Sequence, residues 1–141
     1  MPRGAPDWKP WTAVQRFSEV VGAQTFEQKL DVPANTPNTS PISQAIELTK
    51  GFVAKVSIRF PSGPAGLLGI AIFDGATQLW PGITATWFTG DNETIEFETE
   101  YVVPFVNTGA EKYKLTAKGF NDDDTYPHTA LVRIWVVKFP A

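Results

Sequence analysis

The chain has 141 residues, 43% of them hydrophobic, with no cysteine and a formal net charge of −3. That length suits one domain able to remove roughly 68–70% of its unfolded surface from water without covalent staples. The missing thiols exclude disulfides, a cysteine nucleophile and a cysteine-based metal site, and the acidic balance, with a pI near 5.1, argues against a nucleic-acid surface held by bulk positive charge. Charged residues make up only 19%, against a typical ~25%. With five Trp and ten Phe, a surface partly covered by other chains and an amply filled core are equal readings.

The N-terminal stretch MPRGAPDWKPW has no apolar run after its arginine, so it does not read as a secretory signal. No window reaches the ~18 apolar residues of a membrane span. A full-length product of this kind is expected to be soluble and to stay where it is made, or to leave by lysis. Residues 1–23 read as an N-terminal arm with one or two helical turns, a short helix being the alternative. Pro2, Pro6 and Pro10 prevent a regular element around Trp8 and Trp11, whereas Thr12 to Val21 sets Val14, Phe17 and Val21 at helical spacing behind Thr12 as an N-cap. The arm either lies on its own domain or docks on a neighbouring subunit.

Residues 24–141 read as strands. Gln24 to Val32 turns Phe26, Leu30 and Val32 inward, and Pro33 to Pro41 is a loop by composition. Ile42, Gln44, Ile46 and Leu48 form the inward face of a second strand. Phe52, Ala54, Val56, Ile58 and Phe60 alternate with Val53, Lys55, Ser57 and Arg59 in a third. Leu67 to Phe73 is apolar on both faces, which predicts a central strand covered on both sides. Asp74-Gly75 predicts a type I′ hairpin, with the chain returning through Ala76 to Trp80. Ile83 to Thr89 is a weak strand or wide loop carrying Trp87 and Phe88. Glu93 to Val103 puts Glu96, Glu98 and Glu100 outward, and Tyr113, Leu115 and Ala117 face inward opposite Lys112, Lys114 and Lys118. That acidic and that basic face predict two antiparallel neighbours with cross-strand charge pairs. Pro104 to Ala110 and Asn121 to His128 are loops. Thr129 to Val137 closes the chain with Ala130, Val132, Ile134 and Val136 inward and Arg133 and Trp135 outward. About eight strands at this spacing predict an all-β antiparallel sandwich of jelly-roll type.

The candidate chemistry is sparse. His128 is the only histidine, no serine sits in a G-x-S-x-G context, and its expected role is to anchor the turn into the last strand. The Glu96–Glu98–Glu100 row has spacing compatible with a glycosidase pair but reads better as a solvated charge ladder. Asn121 to Asp124 supplies oxygen ligands without the spacing of a calcium loop, so a loop capping its own amides is expected. The tryptophans suit a carbohydrate platform, a subunit interface or the closing of the core. The expected interface set is Trp8, Trp11, Phe17, Trp80, Trp87 and Trp135, with neither catalytic nor metal residues and no cofactor.

The segments SIRFPSGPAGLLGIAIFDG and GFNDDDTYPHTALVRIWV, within residues 42–137, resemble the accessory structural proteins of tailed-phage virions, by type more than by motif. The closest type is the capsid decoration, or cement, protein. The resemblance implies a homo-oligomer, a trimer above all, assembled in the host cytoplasm and bound to the major capsid protein or another virion lattice, with no nucleic-acid or membrane partner. It brings no catalytic residues. The competing reading is a carbohydrate-binding or receptor-binding head using Trp80, Trp87 and Tyr126.

Overall fold

A computed structural model describes residues 23–108 and 111–138; the arm with Trp8, Trp11 and Phe17 therefore lies outside the described residues. The alternating segments form ten strands, and the described residues contain no helix: β1 (Gln24–Val32), β2 (Ile42–Glu47), β3 (Phe52–Phe60), β4 (Leu68–Asp74), β5 (Thr77–Trp80), β6 (Phe88–Thr89), β7 (Glu93–Val102), β8 (Phe105–Thr108), β9 (Glu111–Asn121) and β10 (His128–Val137). A first sheet runs β1-β10-β3-β7, and a second runs β2-β9-β4-β5 with β6 also on β4 and β8 on β9. Every pairing is antiparallel.

The pairings nest. Leaving aside the short β6 and β8, the first strand pairs with the last (β1·β10), the second with the next to last (β2·β9), β3 with β7, and β4 with β5. One long antiparallel ribbon folded over on itself has this path, and we read it as a jelly roll.

The inward faces supply the core, with Leu30, Ile46, Val56, Ile58, Phe60, Leu68, Ile70, Ile72, Leu115 and Ile134 all buried. β4 is covered on both faces, as its unbroken apolar run predicts: Leu68 to Ile72 are all buried. Leu68, Ile70 and Ile72 face the first sheet. On the other face Gly69 leaves a gap that the Phe120 ring of β9 fills, and a Cβ at position 69 would lie 2.0 Å from that ring. Gly119 faces the core, where a Cβ would come within 3.0–3.1 Å of Leu30, Val32 and Ile70.

Several local expectations change. The β4–β5 loop is Gly75-Ala76, because Asp74 pairs with Thr77, and of the turn residues only Gly75 has positive φ. Positive φ at the first central residue alone is the type II′ pattern, not type I′. Asp74 stays in the strand and accepts the Tyr101 hydroxyl at 2.5 Å. The acidic and basic strands are not neighbours. β7 pairs with β3 in the first sheet, whereas β9 lies between β2 and β4 in the second; Glu96 meets Lys55 at 3.5 Å instead. The register of β3 shifts between Val53 and Lys55, so Val53 and Ala54 are both buried and the expected alternation breaks there. Gln44, expected inward, is exposed on an edge strand. Of Ile83 to Thr89 only Phe88–Thr89 pairs, and the expected loop from Pro104 contains β8.

Candidate interaction surfaces

The polar chemistry gathers at one end of the sandwich. Asn121 closes β9 fully buried; its amide donates to the Val32 and Tyr126 carbonyls at 3.2 and 3.0 Å and its side-chain oxygen accepts the Asp123 amide at 3.0 Å. One oxygen of Asp123 accepts the Thr125 and Tyr126 amides at 2.9 and 3.2 Å, while the other lies 2.8 Å from His128 Nε2. The Thr125 amide, then His128 and the Tyr126 amide, hold the Asp123 carboxyl below its usual range. The 121–128 stretch therefore caps its own backbone, and His128 anchors the entry to β10, both as the residue types suggest. The same end is tied to its neighbours through Asn35 N–H to the Asp123 carbonyl (2.9 Å) and Asp122 N–H to that of Leu67 (2.9 Å). Asp91 accepts the Gly63 and Ala65 amides at 2.8 and 3.2 Å. Among the described residues no group of three His, Asp or Glu is placed to hold a metal ion, and no helix is long and apolar enough to cross a membrane.

The outer face of the first sheet is a lattice of opposite charges. Arg133 reaches Glu27 through two nitrogens at 2.7 and 2.8 Å, Lys55 pairs with Glu96, and Arg59 holds Thr94 and Asn92. Glu96, Glu98 and Glu100 are exposed on the edge strand, a solvated ladder in which Glu96 finds its cation, Lys55, on β3.

The described tryptophans are all half-buried, each against its own chain. Trp135 points outward from β10, as expected, with the Lys55 ammonium 5.0 Å and the Arg133 guanidinium 6.0 Å from its ring centre. Trp80 sits 5.6 Å from Phe97 and 5.8 Å from Tyr101, the latter edge-on, and Phe88 lies 5.7 Å from Phe97. These four rings close the flank where β7 meets β5 and β6. Trp87 stands edge-on to Phe120 at 4.9 Å, on the outer face of the second sheet. Tyr126 is 64% exposed. The expected interface residues of the sandwich thus occupy three separate places.

Two nodes carried no sequence signal. The Gln78 amide nitrogen donates to the carbonyls of Pro81, Ile83 and Thr86 (2.8, 3.1 and 2.9 Å) and its oxygen accepts the Ala85 amide (3.2 Å), folding the loop ahead of Trp87 around one side chain. The Tyr101–Asp74 bond ties the edge of one sheet to the other. Hydrogen bonding to Asp74, with burial second, pushes the Tyr101 hydroxyl up to about 12. Neither residue belongs to a spacing pattern that would have announced it.

No protein-family model matches the sequence, and no curated protein matches it. Among solved structures, a chain of the cyanophage Pam1 capsid asymmetric unit is similar, with a TM-score of 0.52 and 9% identity over 84% of this chain and 86% of that one. A chain of Bacillus endospore appendages, a novel family of disulfide-linked pili, aligns over 83% of this chain and 89% of that one with 10% identity and a TM-score of 0.40. Only the first is near enough to carry an argument, and what it shares is fold.

Proposed function

We propose that this chain is a non-enzymatic structural protein of a phage virion, a decoration protein that stabilises a capsid by binding its protein lattice as an oligomer, a trimer by the type it resembles. The observation that supports the reading most is the double-sheet fold it shares with a cyanophage capsid chain over most of both lengths. The side chains agree with it. The imidazole is engaged with the Asp123 carboxylate, which also holds the Thr125 and Tyr126 amides, and the glutamate row faces solvent with Glu96 beside Lys55. Trp8, Trp11 and Phe17 would supply contacts between copies, an efficient route to multivalent attachment. Such a protein assembles in the host cytoplasm and resides on the virion. Carbohydrate binding is the weaker reading, because Trp80 and Trp87 already pack edge-on against their own neighbours.

The test is light-scattering mass of the full chain together with co-sedimentation on phage capsids produced without it. An oligomeric mass and saturable binding are expected. A monomer that ignores capsids, or one retained on a glycan affinity gel, overturns the proposal.

A further inference from the structure

The two flanks of the sandwich differ. One is closed by Trp80, Phe88, Phe97 and Tyr101. The other, between the edge strands β1 and β2, is an open groove of about 380 Å³ whose lining includes Phe26, Gln28, Gln44 and Ile46. Positions 28 and 44 fall on the inward-facing series of their strands yet carry glutamine. Each amide donates only to the carbonyl of the next residue on its own strand, Lys29 at 3.0 Å and Ala45 at 3.4 Å. Among the described residues no strand pairs with the outer edge of β1 or β2. The groove thus has the half-buried Phe26 ring on its floor, mostly polar walls from Gln28, Gln44, Glu27 and Glu47, and two edges of unpaired backbone. An extended polypeptide fits these features, pairing through its backbone and placing alternate side chains on the floor.

Resting on the oligomeric reading above, we infer that this groove receives the N-terminal segment, residues 1–22, of a second copy. The chain enters β1 at Gln24, two residues before Phe26 of the groove lining, so every copy offers a segment and a groove at the same end. Fully extended, 22 residues span roughly 70 Å, more than twice the ~30 Å length of a nine-residue strand, so a neighbour's groove is within reach. Pro2, Pro6 and Pro10 bar that segment from a central strand but not from a sheet edge, where a missing N–H can face solvent. Trp8 and Trp11 provide large side chains for the half-buried Phe26 to meet. A segment and a groove on each copy suffice to join copies head to tail, into a ring where the rotation between them closes.

The chain has no cysteine, so a disulfide can form only between introduced positions. Full-length Trp11→Cys is mixed with Gln44→Cys, or with Glu98→Cys on the opposite edge strand as control, and oxidised; the Trp11→Cys/Gln44→Cys double variant is oxidised at high dilution. A between-chain bond to position 44 and not to 98 is expected, and Gln44→Trp, which fills the groove, should weaken self-association about tenfold. An oligomer that links position 11 equally to 44 and 98, or to neither, refutes the groove while leaving the oligomeric reading intact. A bond forming only within the double variant shows that the segment folds onto its own copy and also refutes it. A monomeric mass removes both.

Discussion

Ile70→Ala tests the architecture most directly. Ile70 is fully buried at the middle of β4, opposite Gly119 on β9 and Phe88 on β6. The substitution removes three carbons, worth about 2.4 kcal/mol of transfer free energy at ~0.8 kcal/mol each. The site has little means of collapse. β4 is held by paired strands on both edges, and Gly119, which pairs with Ile70 and faces its methyl, has no side chain to move into the space. The residual cavity should add on the order of 1–2 kcal/mol, for a total of about 3–4 kcal/mol. Urea melts at unchanged slope measure it, with Leu67→Ala, at a partly exposed position, as a control expected within about 0.5 kcal/mol. A loss below about 1 kcal/mol for both Ile70→Ala and Ile72→Ala would refute the placement of β4 between two covered faces.

Tyr101→Phe should cost about 1.5–3 kcal/mol at neutral pH, the value of one hydrogen bond to a charged acceptor. Because the Tyr101 hydroxyl is raised from 10.0 to about 12 in the fold, its contribution is complete below pH 10 and is lost as pH climbs through 12; the gap between wild type and variant in urea midpoint should close over that window. The Asp123 carboxyl is shifted the other way, so its contribution is present above its unfolded value and disappears as pH falls below it. Asp123→Asn should therefore flatten the acid limb of the stability curve, read by circular dichroism. His128→Ala should lower the urea midpoint less than Ile70→Ala does and leave capsid binding intact; a hydrolytic activity abolished by it would overturn the non-enzymatic reading. Deleting residues 1–22 should leave the melting temperature of the dilute protein near that of the full chain but abolish oligomerisation and capsid binding; unfolding as a monomer, or normal assembly, would contradict the role given to the arm.

Most of the fold was legible because burial imposes a period of two. β1 and β10 could be read almost to the residue, since Leu30 and Val32 on one and Ala130 through Val136 on the other alternate without interruption. Legibility failed where a local pattern was overruled by a distant partner. Glu96 and Lys114 look like natural neighbours in the sequence, but nesting puts β7 beside β3 and β9 beside β2, and nothing within either strand says so. The register shift at Val53 is set by matching irregularities against β7 and β10. Asp74-Gly75 was a sound turn signal displaced by one residue, because a carboxylate bonded to Tyr101 keeps Asp74 in the strand. At the surfaces, residue types identified what the 121–128 loop would do with its own amides. They were silent on the groove between β1 and β2, which exists only because two sheet edges come together.

The nesting of strands also constrains how the protein can be made. β10 lies between β1 and β3, so the first sheet has no middle until His128–Val137 has been synthesised. A nascent chain carries β1 and β3 for about half of its synthesis with no strand to join them, and the β3 edge that β10 will take stays open to other unpaired edges. Such pairing between sequence-distant strands makes folding slow and aggregation-exposed, so yield should depend on how quickly the last strand is released and on whether a holding chaperone is present. A premature stop that removed only β10 would split the first sheet in two rather than trim its edge.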